Sequence, residues 1–113
     1  MAIDKSLVSG STSMLILRLL ESEDMYGYQM IENLRRKSQD VFQLKAGTLY
    51  PLLHSMESKG YVKSYEKEAN GKIRKYYSLT KEGKRYLEEK REEWQEYTAA
   101  VTNVLCLEGL VCQ

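Results

Sequence analysis

The spacing of hydrophobic positions changes period repeatedly along this chain, and each change marks an element. Ser13–Leu20, SMLILRLL, is apolar on nearly every side. A helix of that kind is buried from more than one direction. It needs more cover than a three-helix domain supplies, either from a second subunit or from an added helix. Tyr26–Lys37 then places Gly27, Met30, Ile31 and Leu34 at i, i+3, i+4 and i+7, one helical stripe. Arg35, Arg36 and Lys37 fill its last turn. Cations suit the negative end of the helix dipole there, and they could equally meet phosphates. After the turn SQD and a short extended VFQL, a third helix follows, AGTLYPLLHSMESKGY. Leu49, Leu52, Leu53 and Met56 form its inward stripe, with Gly47, Tyr50, Pro51, His54, Ser55 and Ser58 opposite. Pro51 fits only near a helix start, where its missing N–H has no helical partner. That places the cap around Lys45–Thr48, and Gly60 closes the helix as a C′ glycine.

The period then drops to two. Tyr61–Lys67 and Ile73–Leu79 are strand segments rich in Tyr, Val and Ile, joined around Asn70-Gly71. Asn-Gly favours the two-residue turn of a hairpin. In the second strand Ile73, Lys75, Tyr77 and Leu79 share one face, and Arg74, Tyr76 and Ser78 the other. Thr80 is placed to cap a terminal helix starting at Lys81. Its apolar positions, Leu87, Trp94, Tyr97, Val101 and Val104, keep a seven-residue rhythm that Lys90 and Glu108 interrupt. A stripe this narrow on a helix of nearly thirty residues predicts a pairing surface. The alternative is docking onto the chain's own core.

Helix, turn, helix and hairpin within about 55 residues outline a winged helix-turn-helix. The expected fold is mainly α with a small β wing, plus a long C-terminal dimerisation helix. Residues 1–80 are expected to form the DNA-binding domain and 81–113 the dimerisation helix.

Charge sharpens that outline. The net charge is only +1, but residues 1–80 hold 12 Lys/Arg against 9 Asp/Glu, and 81–113 hold 5 against 7. From Lys45 to Lys75 the count is 7 basic to 3 acidic, so positive charge gathers around the wing. Local clusters matter more for phosphate binding than the total does. No apolar run reaches the roughly 20 residues of a membrane span, because Met14–Leu20 is short and broken by Arg18. The N-terminus lacks a secretory pattern, so the expected location is cytoplasmic. The two cysteines, Cys106 and Cys112, match no zinc spacing. In a reducing compartment they are expected as free thiols.

Catalysis finds little support. With one histidine there is no His-based metal site and no Ser/His/Asp set, and no glycine-rich phosphate loop appears. Glu88, Glu89, Glu92, Glu93 and Glu96 interleave with Lys90 and Arg91, the pattern of a solvated helix face. DNA reading needs a groove-entering helix, cations on the backbone and two-fold symmetry. The third helix offers Gly47, Thr48, Tyr50, Pro51, His54 and Ser55, with Lys45 and Lys59 at its ends. The wing offers Lys72, Arg74 and Lys75. Leu87, Trp94, Tyr97, Val101 and Val104 would form the dimer interface. Trp94, the only tryptophan, is expected to serve as an interface anchor, since aromatic residues are enriched at such surfaces. Facing its copy, it could also sandwich a flat ligand.

The motifs LVSGSTSMLILRLL, MYGYQMI, AGTLYPLLHSMESKGYV and KIRKYYSLTKEG together resemble the PadR family of bacterial transcriptional regulators. The resemblance covers almost the whole chain. Its most specific part is the third helix, close to the family signature GTLYPLL-x-x-LE-x-x-G. Met56 stands where that signature has leucine, a volume-conserving core swap. The resemblance implies a homodimeric winged helix that binds pseudo-palindromic promoter DNA, generally as a repressor. Some short members hold flat aromatic drugs between paired tryptophans, and Trp94 lies at a matching place. The short tail NVLCLEGLVCQ lacks the long effector region of the founding phenolic-acid regulators. No enzymatic activity and no cofactor are expected. The partners expected are double-stranded DNA, a second copy of the chain and a small planar aromatic effector. The main alternative is a winged-helix module that binds another protein.

Overall fold

The computed structural model describes residues 11–106. Four helices and one small sheet follow in the order α1 (Thr12–Ser22), β1 (Met25–Tyr26), α2 (Gly27–Lys37), α3 (Ala46–Ser58), β2 (Val62–Ala69), β3 (Lys72–Leu79) and α4 (Lys81–Leu105). The sheet is antiparallel in the order β1-β3-β2.

The core forms where the helical stripes meet the inner face of the sheet. Ile16, Leu17, Met30, Leu49, Leu53 and Tyr77 are among its fully buried side chains. Burying each large apolar side chain stabilises the fold by about 1.5–3 kcal/mol. The stripes expected on α2 and α3 are the buried ones. Met30 and Leu34 point inward from α2, and Leu49, Leu53 and Met56 from α3. The all-round apolar α1 finds its second layer of cover inside the same chain. It packs against α2 and β3, and also against α4. Its burial therefore requires no partner subunit.

The hairpin is longer than the sequence indicated, starting at Val62 and running through Ala69 on one side and Lys72 on the other. Asn70 (φ 53°) and Gly71 (φ 79°) both take left-handed backbone, as a tight turn with the twist of the strands demands. β1 was not foreseen. Met25 and Tyr26 pair with Tyr77 and Tyr76, so Tyr26 is a strand residue and the N-cap of α2 rather than its first helical residue.

The end of α3, the base of the wing and the start of α4 are tied together by backbone. Gly60 (φ 81°) closes α3 in a Schellman arrangement, with the Gly60 N–H donating to the Glu57 carbonyl and the Tyr61 N–H to the Met56 carbonyl. Thr80 accepts the Gly83 N–H at 3.0 Å on its hydroxyl oxygen and donates that hydroxyl to the Gly60 carbonyl at 2.6 Å. The Tyr61 and Tyr86 rings stack beside this junction at 4.3 Å.

α4 belongs to two environments. Its first turns sit in the core through Leu87, and Arg91 reaches Glu21 of α1 at 3.0 Å. The core thus crosses the boundary expected at residue 80. Beyond Arg91 the helix carries mostly exposed residues. Twenty-five helical residues span about 37 Å. The radius of gyration, 16.1 Å, exceeds the roughly 13 Å of a compact chain of this length. The helix ends at Leu105 with Cys106 in left-handed backbone. Cys106 is disulfide-bonded, which corrects the free thiol expected there. Cys112 and Glu108 lie outside the described residues.

Candidate nucleic-acid interface

Helix α3 presents to solvent a face without bulky aliphatic side chains. Lys45, Gly47, Thr48, Tyr50, Pro51, His54, Ser55, Ser58 and Lys59 are all exposed, whereas Leu49, Leu53 and Met56 are buried. The polar residues expected to read DNA are therefore brought to one surface. A Cβ added at Gly47 would meet nothing within 4 Å, so the backbone there lies open to close approach.

Two residues of this helix differ from expectation. Pro51 is the sixth residue of α3, not a first-turn residue. Its missing N–H removes the partner that the Gly47 carbonyl would have in a regular helix. Tyr50 is 40% exposed, yet its phenol end packs against Gly27 at the start of α2. A Cβ at Gly27 would lie 2.8 Å from Tyr50 Cζ. Tyr50 thus locks α3 onto α2 with part of its ring and exposes only the remainder.

The wing separates its side chains by face. Directly opposed residues of neighbouring strands share a face. Met25, Ser64 and Tyr77 line up across the three strands on the inner face, towards α3. There Ser64 donates its hydroxyl to Glu57 Oε2 of α3 at 2.7 Å. Tyr26, Tyr76 and Tyr65 line up on the outer face. The Tyr65–Tyr76 pair is stacked at 5.7 Å, and Tyr26 meets Tyr76 edge-on at 5.4 Å. The Tyr65 hydroxyl donates to Asp24 Oδ2 at 2.6 Å, and that bond is the main reason its pKa is raised.

The three wing cations expected to act together are divided by this arrangement. Lys72 and Arg74 belong to the outer face, where the Arg74 guanidinium lies 4.5 Å above the Tyr26 ring. Lys75 is on the inner face, directly opposite Glu66, with its ammonium 5.7 Å from the Tyr77 ring centroid. Tyr77 is buried, and among the described residues its hydroxyl has no hydrogen-bond partner of good geometry. Burial raises its pKa against the opposing pull of Lys75. Two outer-face cations, Lys63 and Lys67, escaped the sequence reading, although their alternation with Ser64, Glu66 and Glu68 was visible there. At the end of α2, Arg35 is engaged by Glu32 and Asp40, at 3.1 and 2.6 Å.

The stripe expected on α4 splits in two. Leu87 is 1% exposed and belongs to the chain's own core, which corrects its assignment to a dimer interface. Trp94, Tyr97 and Val104 are exposed and Val101 is half-buried. Tyr97, Ala100, Val101, Val104 and Leu105 line a shallow apolar depression. The Trp94 and Tyr97 rings lie 6.0 Å apart. Among the described residues no group of His, Cys, Asp or Glu could hold a metal, and no helix is long and apolar enough to cross a membrane.

A three-helix core, a recognition-type helix and a basic hairpin define a winged helix-turn-helix. Residues 16–89 match the Transcriptional regulator PadR-like family, and the chain belongs to that family of transcriptional regulators, which are not enzymes. An uncharacterized protein X of Lysinibacillus sphaericus is 33% identical over 96% of this chain and 98% of its own length. A transcriptional regulator from Clostridium thermocellum, Cth-833, superposes with a TM-score of 0.80 at 36% identity, covering 86% of this chain and 95% of that one. A PadR family transcriptional regulator from Eggerthella lenta gives 0.78 at 35%, covering 88% of this chain and 86% of that one.

Proposed function

We propose that this regulator acts in the cytoplasm as a homodimer that binds a pseudo-palindromic promoter site and represses transcription. The observation that carries this reading is the exposed face of α3. Its small and polar side chains, Gly47, Thr48, His54, Ser55 and Ser58, can enter a major groove, and Lys45 and Lys59 flank them. The basic wing stands beside it to hold the backbone.

The dimer part of the reading is supported by the outer half of α4. Exposed Trp94, Tyr97 and Val104, together with half-buried Val101, form an apolar surface that the described residues leave largely uncovered. Exposed apolar patches of this kind mark association sites. A second copy would pair the two α4 helices and set the two α3 helices for successive half-sites, about 34–36 Å apart.

The test is a mobility-shift titration with the DNA upstream of the chain's own gene, run beside sedimentation of the free protein. Sequence-preferring binding by a dimer is the expected result. A monomer at micromolar concentration that ignores every duplex in dilute buffer sinks the reading. A monomer or dimer that captures a protein instead favours the interaction-module alternative. Trp94 at 40% exposure, with Tyr97 adjacent, favours a second role as platform for a planar aromatic effector. Quenching of its fluorescence by planar cations, with release of DNA, is the expected outcome.

A further inference from the structure

We propose that the wing grips the phosphate backbone of duplex DNA with its outer face alone, through Lys63, Lys67, Lys72 and Arg74, and that Lys75 takes no part. This inference rests on the DNA-binding reading above and assigns its backbone contacts.

Strand register sorts the charges of the hairpin completely. Lys67 pairs with Arg74, Lys63 with Ser78, and Ala69 with Lys72, all on the outer face with the three tyrosines. Both acidic residues of the strands, Glu66 and Glu68, lie on the inner face, opposite Lys75 and Ile73. Lys75 therefore has a carboxylate directly across from it, and any phosphate approaching that face also meets Glu66 and Glu68.

The outer face has the reverse problem. Lys67 and Arg74 are like charges directly opposed across a strand pair, an arrangement that destabilises a sheet. Among the described residues neither the four outer cations nor Lys75 form an ion pair, so the two faces differ in the carboxylates standing across from them and not in pairing. The Arg74 Nε is itself buried and has no hydrogen-bond partner among the described residues, so only the terminal amino groups of its guanidinium could meet an anion. The opposed like charges describe a surface that a covering anion would relieve.

The tyrosines make the cations ready for that anion. The Arg74 guanidinium is held 4.5 Å over Tyr26, and the Lys67 ammonium 5.3 Å over Tyr76. Stacking on a ring fixes the plane of a guanidinium and leaves its edge donors available for bidentate contact with a phosphate. The Asp24–Tyr65 hydrogen bond anchors the same tyrosine row to the turn before α2. Asp24 and Tyr26 are thus positioning residues for the wing.

The experiment is a salt titration of DNA affinity for the intact protein, Lys63→Gln with Lys67→Gln, and Lys75→Gln. Each lost phosphate contact lowers the slope of log affinity against log salt by about 0.9. The double variant should lower it by about 2, so its affinity loss between roughly 50 and 200 mM salt shrinks about twelvefold. Lys75→Gln should retain the parental slope. Lys67→Glu supplies a second readout. It places a carboxylate opposite Arg74, so its melting temperature should hold or rise while DNA affinity falls. Lys75→Gln lowering the slope as much as the double variant overturns the proposal. So does an unchanged slope in the double variant when the parent binds DNA. A parent with no affinity for any duplex overturns the DNA-binding reading itself.

Discussion

Replacing Gly83 with alanine sets two opposing effects against each other, and the geometry decides between them. Gly83 lies in the first turn of α4, where alanine is the better helix former by about 1 kcal/mol. On propensity alone the substitution stabilises. A Cβ at that position, however, would collide with the Tyr61 carbonyl oxygen and come within 2.6 Å of Leu79 Cδ1. The Tyr61 carbonyl cannot retreat freely. It accepts the Thr80 N–H at 3.1 Å, and the Tyr61 N–H is itself held in the α3 closure. Overpacking against fixed neighbours costs about 1–3 kcal/mol, and a pinned backbone atom belongs at the upper end. The net effect is a destabilisation of about 2 kcal/mol. For a chain of this size that lowers the melting temperature by roughly 8–15 °C. Thermal unfolding followed by circular dichroism at fixed protein concentration reads it. Gly47→Ala is the matched control, since its Cβ would meet nothing within 4 Å. It should melt at or slightly above the parent temperature. If Gly83→Ala also melts at or above the parent temperature, the tight junction of α3, wing and α4 is not what limits stability.

Other perturbations test the remaining parts of the structure. Gly47→Ala should weaken DNA binding about tenfold or more if the groove wall approaches α3 at that point, a loss of roughly 1.4 kcal/mol. Equal affinity in a filter or anisotropy assay argues against that approach. Tyr77→Phe removes a buried hydroxyl with no hydrogen-bond partner among the described residues, so stability should hold or rise slightly. The pH sign is definite. The Tyr77 pKa is raised in the fold by burial, so its contribution is complete below the ordinary value of 10.0 and is lost as pH climbs above it. Denaturant titrations across that alkaline range should therefore show a shallower decline in Tyr77→Phe than in the parent, and an identical decline rejects the burial argument. Val104→Asp places a charge in the uncovered apolar stripe of α4. It should weaken self-association at least tenfold with helix content unchanged, as read by sedimentation. Pro51→Ala restores a helical N–H and should raise the melting temperature. An unchanged value would show that the carbonyl of Gly47 is already satisfied elsewhere.

Much of this protein could be read one element at a time. Helical period found the buried faces of α2 and α3, and Asn70-Gly71 and Thr80 marked the turn and the cap, because such signals depend on a few neighbouring residues. The polar face of α3 was legible for the same reason, since one helix determines which side chains share a side. What depended on distant partners was not. Leu87 and Trp94 occupy the same seven-residue slot, yet one is buried in the chain's core and the other faces solvent, since Leu87 joins the core cluster with α1 while Trp94 lies beyond the Arg91–Glu21 contact. β1 is two residues long and exists only because β3 offers an unpaired edge beside it. Tyr50 looked free until Gly27 was placed against it. The division of Lys72 and Arg74 from Lys75 followed from strand alternation alone. The Tyr26 ring that holds Arg74, and the opposed Lys67, came only with the register of three strands. Local sequence decides which side of an element a residue occupies. What stands across from it is a matter of chain segments far apart in sequence, and packing alone brings those together.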